Sequence, residues 1–339
     1  MFFFNKANKF LLYSFIISNL ILSLNGCISG NNQARTKINE KKENTKVIRI
    51  GYQPASPIVL VENIGDLEKK LTQKGVKVKW KKYNSGPPII AAMGRGEVDI
   101  GYVGDVPALL GQVNNIPLVY VANEIAVPTS MAILVPEDSP IKNLKDLKGK
   151  KITLVEGSSA HYTLVQALII AELTLDDIEL VGLPTSEGKI AFKNGEVDVW
   201  IGWDPEIADL EEQMSVRMLT NGEGMADHIS FYIATRSFVE TNYPLMRTFI
   251  EEVQKTGKWA TENPEEVAKI LVEETGLDLA TTRRIVSRNI YETLPIQDRA
   301  IEEQQRIADI FFRLGIFPKQ VIVEKNVWKG SLNEDLDRN

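Results

Sequence analysis

The sequence holds one cysteine, Cys27, and two histidines, His161 and His228. A single thiol excludes an intrachain disulfide and a cysteine-built zinc cluster. The two histidines stand far apart, with no carboxylates at ligand spacing, so no helical or loop metal signature is present and no metal or other cofactor is expected. A basic excess is also missing: 39 Lys and Arg face 45 Asp and Glu, a net charge of −6. Without the first 26 residues, which contain Lys6, Lys9 and no acid, 37 basic side chains remain and the net charge is −8. That balance argues against nucleic acid as a partner. Finally, no apolar run approaches the ~20 residues that a spanning helix needs.

The longest such run, Phe10 to Leu24, follows Lys6 and Lys9 and ends in Leu24-Asn25-Gly26-Cys27. Its length and basic flank are those of a signal peptide, so residues 1–26 are expected to be removed on export. Small Gly26 before the lone cysteine resembles the lipobox of prokaryotic lipoproteins, which makes Cys27 the expected lipid-bearing residue. Asn25 departs from the small residue usual at its position. Residues 27–46 are dominated by Asn, Lys, Glu, Gln and Gly, cannot bury a core, and read as a flexible tether to the outer face of the membrane.

The remaining chain repeats itself once. Gly96-Glu97-Val98-Asp99-Ile100-Gly101-Tyr102-Val103-Gly104-Asp105 returns as Gly195-Glu196-Val197-Asp198-Val199-Trp200-Ile201-Gly202-Trp203-Asp204, and a Pro follows each within two residues. Each copy reads as a turn, a buried strand and a loop. A helical pattern precedes each, and strand-like runs at Val47 to Tyr52 and Lys151 to Gly157 stand further upstream. One pair at this spacing is no solenoid. It predicts two similar α/β lobes whose strand-end loops face each other.

The apolar runs Ser130 to Val135 and Ser230 to Thr235 bracket the second copy and are expected to act as hinge strands. The expected first lobe is therefore discontinuous, 47–135 with 230–339, around a second lobe at 136–229. Single helices are expected near 58–72 and 298–314, and another from Tyr243 to Ala260.

Val155-Glu156-Gly157-Ser158-Ser159-Ala160-His161 runs a strand into Gly and two serines as a helix begins. Free amides, the positive end of the helix dipole and two hydroxyls make an anion site there, unless Ser158 or Ser159 merely caps its own helix. Trp203 at a strand end suits a wall for a small ligand. Asp204 and Asp105 are loop starters or hydrogen-bond acceptors, and His228 falls near the lobe junction. Ser158 beside His161 lacks the Gly-x-Ser-x-Gly elbow of a serine hydrolase, so no catalysis is expected.

From Val47 to Gly315 the chain resembles the substrate-binding proteins of ABC importers, in the branch handling aliphatic sulfonates, taurine and nitrate. The matching segments are Ile50-Gly51-Tyr52-Gln53, Ser85-Gly86, Gly96 to Gly101 with Gly104-Asp105-Val106-Pro107, Gly157 to Tyr162, Gly195 to Asp198 with Trp203-Asp204-Pro205, and Ser230-Phe231-Tyr232. The resemblance implies an α/β, two-lobe periplasmic-binding-protein type II fold with two hinge strands, closing as a monomer on a small anion. Gln53, Asp105, Ser158, Ser159, His161, Trp203 and Asp204 would line the cleft, joined by Ala160 in the same first turn and by His228. Partners implied are an ABC permease with its ATPase subunits. The scaffold also serves nitrate and thiamine-pyrimidine ligands, so fold alone leaves the ligand open.

Overall fold

The computed structural model describes residues 46–330. The expected signal peptide, Cys27 and all but the last residue of the tether lie outside them. The chain opens with β1 (Lys46–Tyr52), α1 (Pro57–Ile64), α2 (Asp66–Gln73), β2 (Val76–Lys82), α3 (Gly86–Gly94), β3 (Ile100–Val103), α4 (Asp105–Val113) and β4 (Leu118–Glu124). It continues with β5 (Met131–Pro136), β6 (Lys151–Leu154), α5 (Ser159–Ile170), β7 (Glu179–Gly182), α6 (Thr185–Lys193), β8 (Val199–Trp203), α7 (Glu206–Gln213) and β9 (Val216–Asn221). It closes with β10 (Phe231–Thr235), α8 (Arg236–Glu262), α9 (Pro264–Thr275), α10 (Leu279–Arg288), β11 (Thr293–Pro295) and α11 (Asp298–Arg313).

Two sheets carry the two lobes. The first has the order β11-β4-β10-β3-β1-β2 and the second β7-β6-β8-β5-β9. In the first, β1 lies parallel between β2 and β3, and β10 runs antiparallel between β3 and β4. In the second, β6 lies parallel between β7 and β8, and β5 runs antiparallel between β8 and β9. The plan is the same, and in each lobe the antiparallel strand arrives from the other lobe.

The repeated motif does the same work twice. Gly96 and Gly195 take φ of 70° and 71° after α3 and α6, a left-handed exit that glycine adopts without cost. Asp99 Oδ2 then accepts from the Arg49 amide and Asp198 Oδ2 from the Lys151 amide, both at 2.8 Å, so each aspartate ties its own strand to the parallel neighbour.

Alternation along the strands fills cores on both faces of each sheet. Tyr232 and Ala234 of β10 enter one cluster, Phe231 and Ile233 the other. Met131, Ile133 and Val135 of β5 face one side of the second sheet, Ala132 and Leu134 the opposite side. Helices α8 and α11 return to the first lobe through Phe249, Val253, Ile307 and Phe311.

Three expectations need correction. Residues 131–135, assigned above to the first lobe, form β5 inside the second sheet, and β10 is an interior strand of the first. Both are paired on two sides. The chain crosses between sheets in the irregular segments 125–130 and 222–230, where the Gly222 amide donates to Pro128 O at 3.1 Å. The helix expected at 58–72 is broken by Gly65, at φ 74°. Finally, α8 starts before Tyr243 and kinks at Asn242, φ −135°, since Pro244 has no amide to bond back along the helix.

Candidate ligand-binding cleft

A cavity of about 110 Å3 lies between the lobes. That is below the ~300 to 1,000 Å3 of pockets for drug-sized molecules and suits a ligand of a few heavy atoms. Gln53, Ser56, Gly86 and Gly104 line it from the first lobe, Ser159 and Trp203 from the second.

Helix starts dominate this lining. Ala55 and Ser56 precede α1, Gly86 opens α3, Gly104 precedes α4, Ser158 and Ser159 open α5, and Asp204 stands before α7. The starts of α4 and α7 carry acids of their own, Asp105 in one and Glu206 with Asp209 in the other. Those of α1, α3 and α5 carry none. Three positive helix ends without an acid in the first turn therefore face one small space, each worth ~0.3 to 1 kcal/mol toward an anion at an exposed site, and more where water is excluded.

The two serines of α5 divide the roles left open above. Ser158 caps the helix: its hydroxyl donates to Val155 O at 2.6 Å and accepts from the Ala160 amide at 3.2 Å. Ser159 Oγ lines the cavity and bonds to no protein group among the described residues. Gly104 lies so close across the cleft that an added Cβ would sit 2.2 Å from Ser159 Oγ. The lobes thus meet where the candidate anion donors are.

Of the other expected site residues, Gln53, Trp203, Asp204 and His228 reach the cavity. Ala160 and His161 do not. Ala160 is packed in the second-lobe core. The His161 ring is buried against Phe311, centroids 5.3 Å apart, and its Nδ1 accepts from the Gly157 amide at 3.3 Å. Burial pushes the imidazole down to about 4. The first turn of α5 presents Ser159 to the cleft and turns His161 toward α11. Asp105 also misses the cavity surface and sits behind it, its Oδ2 3.6 Å from His228 Nδ1, while Oδ1 accepts from the Val106 amide at 2.7 Å. His228 Nε2 lies 3.3 Å from Thr163 Oγ1, which donates to Ser159 O at 3.1 Å. Asp105 thus supports the lining residue His228 between the lobes.

Asp204 is not free either. Arg288 Nη1 lies 3.3 Å from its Oδ1, the same guanidinium contacts Glu211, and the Ala208 amide donates to Oδ1 at 3.1 Å. Burial pushes the Asp204 carboxyl up to about 6 against the opposing pull of Arg288. Arg288 and cavity-lining Asn289 escaped the sequence reading, as did Ser56. The local signals were Asp278, whose side chain caps α10 by accepting from the Ala280 amide at 2.7 Å, and Ser56 before Pro57, a capping residue ahead of proline at the first helical position.

Two α/β lobes with helix starts converging on an interlobe cleft are the periplasmic binding protein fold. Residues 71–267 match the family described as NMT1/THI5 like, and the chain belongs to that family. Over 286 residues it is 32% identical to an Escherichia coli K12 protein named for aliphatic sulfonate binding, covering 84% of this chain and 89% of that one. A Bacillus subtilis 168 protein of the same name is 30% identical over 93% of this chain and 95% of its own length. Among solved structures, the alkanesulfonate-binding protein SsuA of Xanthomonas axonopodis pv. citri, bound to MOPS, superposes with a TM-score of 0.79 at 31% identity over 83% of this chain and 98% of that one. With such relatives the chain is a solute-binding protein and not an enzyme.

Proposed function

We propose that this protein captures an aliphatic sulfonate or taurine between its lobes and delivers it to an ABC permease, as an exported lipoprotein anchored through Cys27. The observation that carries the anion is the meeting of three acid-free helix starts, α1, α3 and α5, in one cavity. The cleft offers amides and neutral hydroxyls; its Arg288 is already occupied by Asp204 and Glu211. Such donors suit a weakly basic, fully ionised group like sulfonate. The names of the relatives point to the same ligand class. The apolar run before Gly26-Cys27 supports export and anchoring.

A thermal-shift screen with ethanesulfonate, taurine, nitrate, sulfate and a pyrimidine tests the ligand. Ligand at 100-fold above Kd adds about 2.7 kcal/mol of stability. The expected result is a raised melting temperature with the sulfonates and with none of the others. A shift confined to nitrate or the pyrimidine contradicts the reading. Palmitate labelling that is lost in Cys27→Ala tests the anchor.

A further inference from the structure

Behind the cleft the space continues into a second chamber of about 50 Å3, sharing Ala55, Tyr102, Ser130, His228, Ser230 and Asn289 with the main cavity. Its inner wall carries the side chains of Glu124, at the end of β4, and Tyr291, just before β11. Glu124 is 3% exposed and Tyr291 7%. The Tyr291 hydroxyl has no hydrogen-bond partner among the described residues. Both hydroxyls that reach the Glu124 carboxyl, from Tyr232 and Thr293, donate to Oε1, and Oε2 has no protein partner among the described residues. Arg288 is taken up by Asp204 and Glu211, and no ion pair to the Glu124 carboxyl is present among the described residues. A carboxyl desolvated without a cation, facing open space, is costly to ionise, and burial indeed pushes Glu124 up to about 7.

The geometry points to the chamber as an ammonium subsite: a ligand held by its sulfonate at the α5 start extends a short chain past His228 and Ser230 and places an amine between Glu124 Oε2 and the Tyr291 hydroxyl. This rests on the proposed sulfonate reading and narrows it to ω-aminoalkanesulfonates. The amine donates to the carboxylate and to Tyr291 Oη, which supplies the partners those two atoms lack. Asp204, a buried carboxylate that lines the main cavity, is already paired with Arg288 and does not compete.

Calorimetric titration of the whole protein with ethanesulfonate, 2-hydroxyethanesulfonate and taurine, and with the matching three-carbon series, tests the subsite. A charge-assisted hydrogen bond predicts that the amine of the better-fitting length binds at least about tenfold tighter than its alkane and hydroxyl counterparts. In Glu124→Gln that advantage disappears while ethanesulfonate binds as before. Tyr291→Phe, which keeps the ring, reduces the advantage without touching ethanesulfonate and serves as the test if Glu124→Gln does not fold. Equal binding of amine and alkane in the wild type, or an advantage that survives in the variants, overturns the subsite and leaves the sulfonate reading standing. If none of the sulfonates binds, the sulfonate reading fails and the subsite with it.

Discussion

Arg288, the last residue of α10, places its guanidinium 3.3 Å from Asp204 in the loop between β8 and α7. The same group reaches Glu211, and Arg284 one turn earlier lies 3.4 Å from Glu212. Helix α10 buries Ile285 in the first-lobe core, whereas Asp204, Glu211 and Glu212 belong to the second lobe. The ion pairs therefore hold the lobes together beside the cleft. Breaking a well-buried pair leaves a carboxylate without its counterion. Since ligand affinity falls with the population of the closed state, Arg288→Ala is expected to weaken binding by about tenfold. Scattering of the ligand-free variant should show a larger radius than wild type, and an unchanged radius with unchanged affinity contradicts the closing role.

The division of labour at the α5 start separates two neighbouring serines. Ser158→Ala removes a helix cap and is expected to cost about 1 kcal/mol of stability. Ser159→Ala takes away a hydroxyl that faces the cavity, so melting should hardly move while affinity for ethanesulfonate drops by about tenfold, as for a lost hydrogen bond to a charged group. Denaturant unfolding and titration of both variants distinguish these outcomes; the reverse pattern assigns the anion to Ser158.

Gly104 has φ −69°, a conformation that alanine adopts freely. Gly104→Ala should therefore fold normally. Its new methyl competes with Ser159 Oγ for the same place, so the hydroxyl must turn away or the lobes must part. Either way affinity should fall by tenfold or more on the same hydrogen-bond scale, about 1.4 kcal/mol, which titration will read. Undiminished binding means that the ligand is held without this approach of the lobes.

His161 ties stability to pH. Its folded value lies near 4, below the ordinary 6.5 of an exposed imidazole. Above 6.5 both states are neutral and the residue contributes no slope. As pH falls below 6.5 the unfolded chain takes a proton that the folded protein refuses, and stability declines by up to about 1.4 kcal/mol per unit until about 4, where the folded ring protonates as well. Replacing it in His161→Gln should flatten the unfolding free energy between pH 6.5 and 4 by that slope relative to wild type. An identical profile in the variant contradicts the burial of a neutral ring.

Much of this arrangement was legible in the chain because it is local. Gly96 and Gly195 mark helix exits, Asp99 and Asp198 follow them at a fixed distance, and the strand alternation of β5 and β10 is plain in the residues. The cleft was legible where a single loop builds it, at Gln53, Ser159 and Trp203. His161 was expected in the cleft and lies outside its lining, because sequence shows that a helix starts but not which side of its first turn faces the cavity. Arg288, Asn289 and the Glu124 chamber depend on where α10 and β11 pack after long returns of the chain. No spacing in the sequence encodes that meeting. The error at residues 131–135 has a similar source: an apolar run between lobes belongs to whichever sheet leaves it a partner on each side.

The crystal structure of the ethanesulfonate complex tests the central claim most directly. The account predicts closed lobes with sulfonate oxygens within hydrogen-bond distance of Ser159 Oγ and of an amide at the start of α5, facing the starts of α1 and α3. A sulfonate bound outside this cleft, or bound within it by its alkyl end with the oxygens in solvent, contradicts it.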